Sequence, residues 1–345
     1  MKHRCLTLLA TLAAVVAAVS FLPAPVAAQP LAAAPVNWTM PRTADGQPDL
    51  QGVWSNNGTT PLERPAIFEG RTELTEEEMA QIRRRADEIL NGTDEQAGDV
   101  LGDSLFRQAV DDPTLQRFDE VTGNYNTFWI ADRSFDNRTS LIVDPANGRV
   151  PPLTEEAQAA RAAGAANFAR FLSPEGPEDT GLTVRCISYG VPNLLTGYNS
   201  YFQIAQTPSH VVILQELIHD VRVIPLDGRP HLDESIRQLH GDSRGHWEGD
   251  TLVVETTKFA ASSGSIAGGG GSDSLRIVER FTRIGPDTIR WDVMYEDAST
   301  WTQPWTAAIA LHKSDNAIFE YACHEGNYAM EGILGGARAN DPAEQ

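Results

Sequence analysis

Basic residues are scarce. The chain of 345 residues carries 27 Lys and Arg against 47 Asp and Glu, a formal charge of −20 at pH 7. Such a surface repels phosphate backbones and anionic lipid, so no nucleic-acid partner is expected. Cysteine is rarer still, and beyond Ala28 only Cys186 and Cys323 remain. The chain also lacks the short motifs of common cofactor enzymes. It has no P-loop, no Cys-x-x-Cys, no His-Glu-x-x-His and no Gly-x-Gly-x-x-Gly after a strand, which argues against nucleotide, nicotinamide and typical zinc chemistry. No cofactor is therefore expected.

What the first residues do carry is the three-part pattern of a secretory leader. Lys2 and Arg4 precede an apolar run from Leu6 to Leu22, which Pro23, Pro25 and Val26-Ala27-Ala28 close. The run falls short of the roughly 20 apolar residues that cross a bilayer, and no later segment is longer. We expect a signal peptide over 1–28 and a periplasmic or secreted protein without a membrane span. Loss of Lys2 and Arg4 leaves 25 basic residues against 47 acidic ones, a formal charge of −22. In an oxidising compartment Cys186 and Cys323 are expected to bridge, with two buried free thiols as the alternative. Closing so long a loop stabilises by about 4 to 5 kcal/mol on the chain-entropy model.

Residues 29–48 are rich in Ala and Pro without periodicity and read as a disordered leader. The domain proper is expected over 49–340, opening with a short strand at Asp49 to Trp54. From about 66 to 172 the pattern turns helical. Thr75 caps Glu76, Glu77 and Glu78 ahead of Met79, Ile82, Ala86, Ile89 and Leu90 at helical spacing. Thr154 repeats the arrangement for a second helix ending near Leu172, and Arg138 to Val150 reads as a strand followed by a turn. From Tyr198 onward the spacing becomes that of strands. Ile289, Trp291, Val293 and Tyr295 alternate with mainly polar residues, as do Trp305, Ala307, Ile309 and Leu311 with theirs. Turn signals at Asp227-Gly228, Glu248-Gly249, Pro286-Asp287 and Asp315-Asn316 separate such runs. The expected fold is mainly β: an antiparallel meander closing into one barrel, with a helical insertion after the first strand. Ala261 to Ser274, centred on Gly268 to Gly271, reads as a flexible loop, with a lid as the alternative.

Two resemblances add to this. Pro48-Asp49-Leu50-Gln51-Gly52-Val53-Trp54 resembles the Gly-x-Trp opening strand of lipocalin-like (calycin) barrels, which implies the barrel architecture and nothing about ligands. The stretch Tyr198 to Arg338 is similar to an uncharacterised family of exported bacterial proteins. It carries His219-Asp220, Pro225 to His231, Gly241 to Gly245, Trp247 to Thr256 and Tyr321 to Tyr328. That likeness implies export and a shared fold, and no reaction.

Ionisable side chains gather in three places. In the first, Asp220 and Arg222 share one strand face and His219 takes the other; an exposed Asp–Arg pair beside a rim histidine is the alternative. The second holds His231, His240, Asp242, Arg244 and His246 in a loop leading to the Trp247 hairpin, where Asp242 and Arg244 could equally clamp a turn. In the third, His324 stands between Glu320 and Glu325 beside Cys323 and Asn327. General acid–base work needs an imidazole fixed by a neighbouring acceptor, so His324 is the first choice for a catalytic group, against a structural histidine. Glu325 or Glu320 would orient it, Arg244 and Arg222 would stabilise negative charge, and His219 would carry a second proton. Asp242 completes the catalytic set. Ser188 and Ser243 have polar neighbours, but a bare serine is no nucleophile without a base.

Substrate contacts are expected from Tyr198, Tyr201, Arg222, His231, Trp247, Trp291, Trp301 and Tyr328. Trp305 joins them in lining a cavity for a flat apolar or sugar-like ligand, or in packing the core. Three imidazoles, His219, His231 and His324, could alternatively hold a divalent metal, although their spacing forms no recognised ligand set. The expected function is thus cofactor-independent acid–base chemistry, as a lyase, isomerase or hydrolase, on a small apolar or aromatic molecule. The alternatives are a non-catalytic hydrophobic-ligand-binding protein and a metal-dependent hydrolase.

Overall fold

Alternating apolar residues become strands along most of the C-terminal half. The computed structural model describes residues 37–91, 102–115, 133–194, 197–260, 265–266, 269–270 and 272–339; the expected signal peptide and most of the glycine-rich loop lie outside them. The strands are β1 (Gly52–Ser55), β2 (Ile142–Asp144), β3 (Tyr201–Gln206), β4 (His210–Gln215), β5 (Val221–Pro225), β6 (Asp242–Glu248) and β7 (Thr251–Thr257). After the two-residue strands β8 (Ser265–Ile266) and β9 (Gly269–Gly270), which pair only with each other, come β10 (Arg276–Gly285), β11 (Thr288–Glu296) and β12 (Trp305–Ser314).

Ten strands form one antiparallel sheet in the order β5-β4-β3-β1-β12-β11-β10-β7-β6, with β2 alongside β12. The order departs from a plain meander at one point. The opening strand β1 lies mid-sheet, pairing Val53 with Gln203 of β3 and with Ser314 of β12. Gly52 enters it at φ +129°, a conformation open to glycine and strained for other residues.

Period-two alternation sends Leu252, Phe281, Trp291 and Ile309, registered across four strands, to one face, where they are buried. Trp54 is fully buried on the same core, its indole N–H donating to Leu50 O at 2.8 Å while the Arg283 guanidinium lies 5.4 Å from its ring. The sheet curves strongly. Arg222 near one edge reaches Glu279 of β10, and Gly245 of β6 packs on Ile224 and Leu226 at the other edge. A Cβ at Gly245 would stand 2.8 Å from the Leu226 side chain and 2.9 Å from that of Ile224, so a larger residue would have to displace them. No ladder joins β5 to β6 among the described residues.

The insertion is helical where capping residues predict it. Helix α1 (Glu76–Asn91) opens with a capping box, in which the Glu78 N–H donates to Thr75 Oγ1 and the Thr75 N–H to Glu78 Oε2. Its Met79 and Ile82 pack with Phe106 of α2 (Ser104–Ala109) in a separate small core. Thr154 caps α3 (Glu155–Leu172) by accepting from the Ala157 N–H at 3.1 Å.

Three features differ from expectation. Residues 41–49 are tied to the sheet ahead of Asp49, by Gln206 Nε2 donating to Pro48 O at 3.0 Å and by an Arg42–Asp250 ion pair at 2.7 Å. Asp227-Gly228 opens a long irregular segment instead of a hairpin, because no alternating run follows Pro230. Beyond Ser314 the chain leaves the sheet, turns irregular and ends in α4 (Tyr328–Ala339), none of whose residues is buried. The expected disulfide is present, Cys186 joining Cys323 across 137 residues.

Candidate functional site

An open cleft of about 690 Å³ lies where the β4–β5 connection, the turn before β3 and the segment after β12 meet. The volume suits a small organic molecule. Tyr198, Tyr201 and Tyr321 supply aromatic walls, Glu216 and Glu320 supply carboxyl groups, and Asn199 and Asn327 supply amides. Tyr198 and Tyr321 meet edge to face, ring centroids 6.4 Å apart at 84°. The disulfide pins one wall, since Cys323 lines the cleft and its neighbour Asn327 donates to Val184 O at 2.8 Å.

Backbone strain concentrates here. Cys186, Asn199, Ile218 and His219 all take left-handed conformations at φ 56°, 42°, 59° and 51°, and such strain gathers at sites whose geometry is over-determined. For β-branched Ile218 the conformation is a true outlier. It reverses the chain after β4 so tightly that Leu217 and Ile218 stay buried while Glu216 turns to the cleft.

Glu216 is only 5% exposed. The Phe319 N–H donates to its Oε1 at 3.2 Å, while Oε2 is buried with no donor in hydrogen-bonding geometry. Burial pushes its carboxyl pKa up, against the opposing pull of the Phe319 N–H and the nearby Asn199 amide. A carboxyl with raised pKa in an aromatic cleft is the usual make-up of a general acid or base.

The structure separates the residues that sequence proximity had grouped. Of the third cluster, Glu320 and Cys323 line the cleft, whereas His324 and Glu325 are exposed outside its lining. Tyr328 is 78% exposed. Of the expected contacts, Tyr198 and Tyr201 line the cleft, while Trp291 and Trp301 are core and Trp247 packs against it. Asp220 and Arg222 turn inward and His219 outward, which overturns the exposed-pair alternative: they are 5% and 7% exposed. Arg222 forms a bidentate pair with fully buried Glu279, to which Trp291 Nε1 also donates at 3.0 Å.

Of the second cluster His231, Asp242 and Arg244 come together, as an ion-pair network on the outer face of the sheet, while His240 pairs with Asp220 and His246 with Glu248. His231 Nδ1 lies 2.8 Å from Asp242 and Nε2 3.1 Å from Glu255; Arg244 holds Asp242 at 2.6 Å and Arg276 holds Glu255 at 2.7 Å. Burial raises the Glu255 pKa, but Arg276 and His231 outweigh it and the net shift is downward. None of these residues lines the 690 Å³ cleft; their ion pairs tie the segment before β6 to β7 and β10.

Two serines, Ser188 and Ser243, lie among polar groups. Ser188 Oγ lies 2.9 Å from His240 Nε2 and donates to Asp220 at 3.0 Å, but Asp220 meets that same ring nitrogen at 3.1 Å. A catalytic triad needs the acid on the other nitrogen, and Ser188 is 1% exposed. Gly241-Asp242-Ser243-Arg244-Gly245 has the Gly-x-Ser-x-Gly spacing of a nucleophile elbow. Ser243, however, lies within β6 and meets Thr256 Oγ1 at 2.9 Å, instead of topping a strand-to-helix turn.

Among the described residues no group of three or more His, Cys, Asp or Glu is placed to hold a metal ion. No helix among them is long and apolar enough to cross a membrane. Comparison with known proteins finds no family model, no curated protein and no solved structure that matches the chain. The resemblances drawn from its motifs thus rest on those motifs and on the mainly β fold.

Proposed function

We propose that the protein is an extracytoplasmic, cofactor-independent enzyme that performs acid–base chemistry on a small apolar or aromatic molecule, as a lyase, isomerase or hydrolase. Glu216 is its general acid or base. The observation that carries this reading is the Glu216 carboxyl, buried in the wall of the tyrosine-lined cleft with one oxygen free of donors. Tyr198, Tyr201 and Tyr321 hold the substrate, and Glu320 is the second proton-carrying group within the same walls.

The curved sheet is read as a lipocalin-like barrel whose seam between β5 and β6 is closed by side chains. The Arg222–Glu279 pair and the packing of Gly245 on Ile224 support that reading. The leader pattern and the Cys186–Cys323 disulfide support export.

The test is an untargeted metabolite screen with wild type and Glu216→Gln, scored by mass spectrometry. A compound consumed by wild type and spared by the variant supports the enzyme. A compound retained unchanged by both proteins would replace it with a ligand-binding protein, which the open form of the cleft also suits.

A further inference from the structure

Across the described residues, buried carboxylates follow a pattern that Glu216 breaks. Asp112 meets Arg107, Asp220 meets His240, Asp242 meets Arg244, and Glu279 meets Arg222. Asp297 has no basic partner, but the hydroxyls of Ser299 and Thr300 and the Ser299 N–H fill its oxygens. Only Glu216 keeps a buried carboxylate oxygen with no donor, although buried acids ordinarily find a charge partner or several hydrogen bonds. The lining of its cleft offers amides and phenols but no charge partner. It contains two glutamates and three tyrosines, and no Lys, Arg or His.

We infer that the cleft takes an organic cation, an amine or quaternary ammonium group on an apolar body, held over the tyrosine faces with Glu216 and Glu320 as its counter-charges. The inference rests on the cleft being the working site. It follows from the walls themselves. A tyrosine face attracts a cation within about 6 Å of its centroid, and the Tyr198–Tyr321 edge-to-face pair sets two rings at 84°, a corner rather than a flat wall. Anions are disfavoured by both carboxyl groups, and a purely apolar ligand would leave Glu216 and Glu320 without a counter-charge. The net charge of −20 concentrates cations at the surface.

Calorimetric titration of the full chain at low ionic strength tests this with three probes of one shape. They are choline, its uncharged isostere with tert-butyl in place of trimethylammonium, and the anion tert-butylacetate. The expected result is choline tighter than the neutral isostere by roughly tenfold or more, with the anion weakest. Glu216→Gln and Tyr321→Leu each remove most of that preference. Tyr321→Phe keeps the ring face and keeps the preference, which separates loss of recognition from loss of fold. Equal binding of choline and its isostere, abolished by Tyr321→Leu, would overturn the cation while leaving the cleft as the site. Absence of choline binding, or a preference surviving Glu216→Gln, would overturn it too, and the metabolite screen then judges the acid–base function alone.

Discussion

Arg222 on β5 and Glu279 on β10 meet as a bidentate pair inside the curve of the sheet, although six ladders separate their strands. Removing one partner leaves an uncompensated buried charge, which costs roughly 3 to 5 kcal/mol. Arg222→Met alone should lower stability to urea by that amount. Pairing it with Glu279→Leu should recover part of the loss, since no buried charge is then left without its partner and only the Trp291 indole N–H, which donates to Glu279, loses its acceptor.

Glu216→Gln should lower turnover by about 10²- to 10⁴-fold, the usual contribution of a general acid or base. The folded-state pKa of Glu216 lies above its ordinary value because of burial, so the folded protein binds this proton more tightly than the unfolded chain. Its stabilisation is complete below the unfolded pKa and is lost as pH rises through the folded one. Glu216→Gln should therefore flatten that decline, and urea unfolding of both proteins between the acid range and neutrality would detect it.

Reduction, or replacement of Cys186 and Cys323 by Ser, should cost about 2 to 5 kcal/mol. It should also weaken ligand binding beyond the loss of stability, because Cys323 lines the cleft and Asn327 beside it holds Val184. Calorimetry well below the melting transition separates the two effects.

His324 is exposed outside the cleft lining, so His324→Ala should leave turnover within about twofold while Glu216→Gln abolishes it; surface substitutions usually change little. The opposite ranking would return the chemistry to the imidazole that sequence proximity favours. Ser188 should resist serine-directed phosphonates, and Ser188→Ala should cost about 1 kcal/mol through one lost hydrogen bond, since Asp220 keeps His240 and the Tyr189 N–H.

The strands were legible because period-two alternation is a local property, and β10, β11 and β12 fall where it places them. The position of β1 was not, because pairing partners are chosen across the whole chain. Glu216 was hidden for a related reason. It lies inside the stretch Val211 to Leu217, which reads as one strand, and only the left-handed turn at Ile218 and His219 aims it at the cleft. The cleft draws on residues from Thr183 to Ala329. His324 misled through its acidic neighbours, since adjacency in sequence fixes an imidazole only on regular backbone, and Glu320 to Asn327 form no strand or helix.

The lodging of β1 between β3 and β12 sets a timetable for folding. Its ladder to β12 joins residues about 260 positions apart in the chain, and contacts so distant are slow to form. A chain delivered from its N-terminus can assemble the β3 to β5 hairpins early, yet it cannot lock β1 on both sides until β12, the last described strand, has been delivered. A polypeptide that waits in this way stays pliable along most of its length and becomes rigid only when its final strand closes the gap.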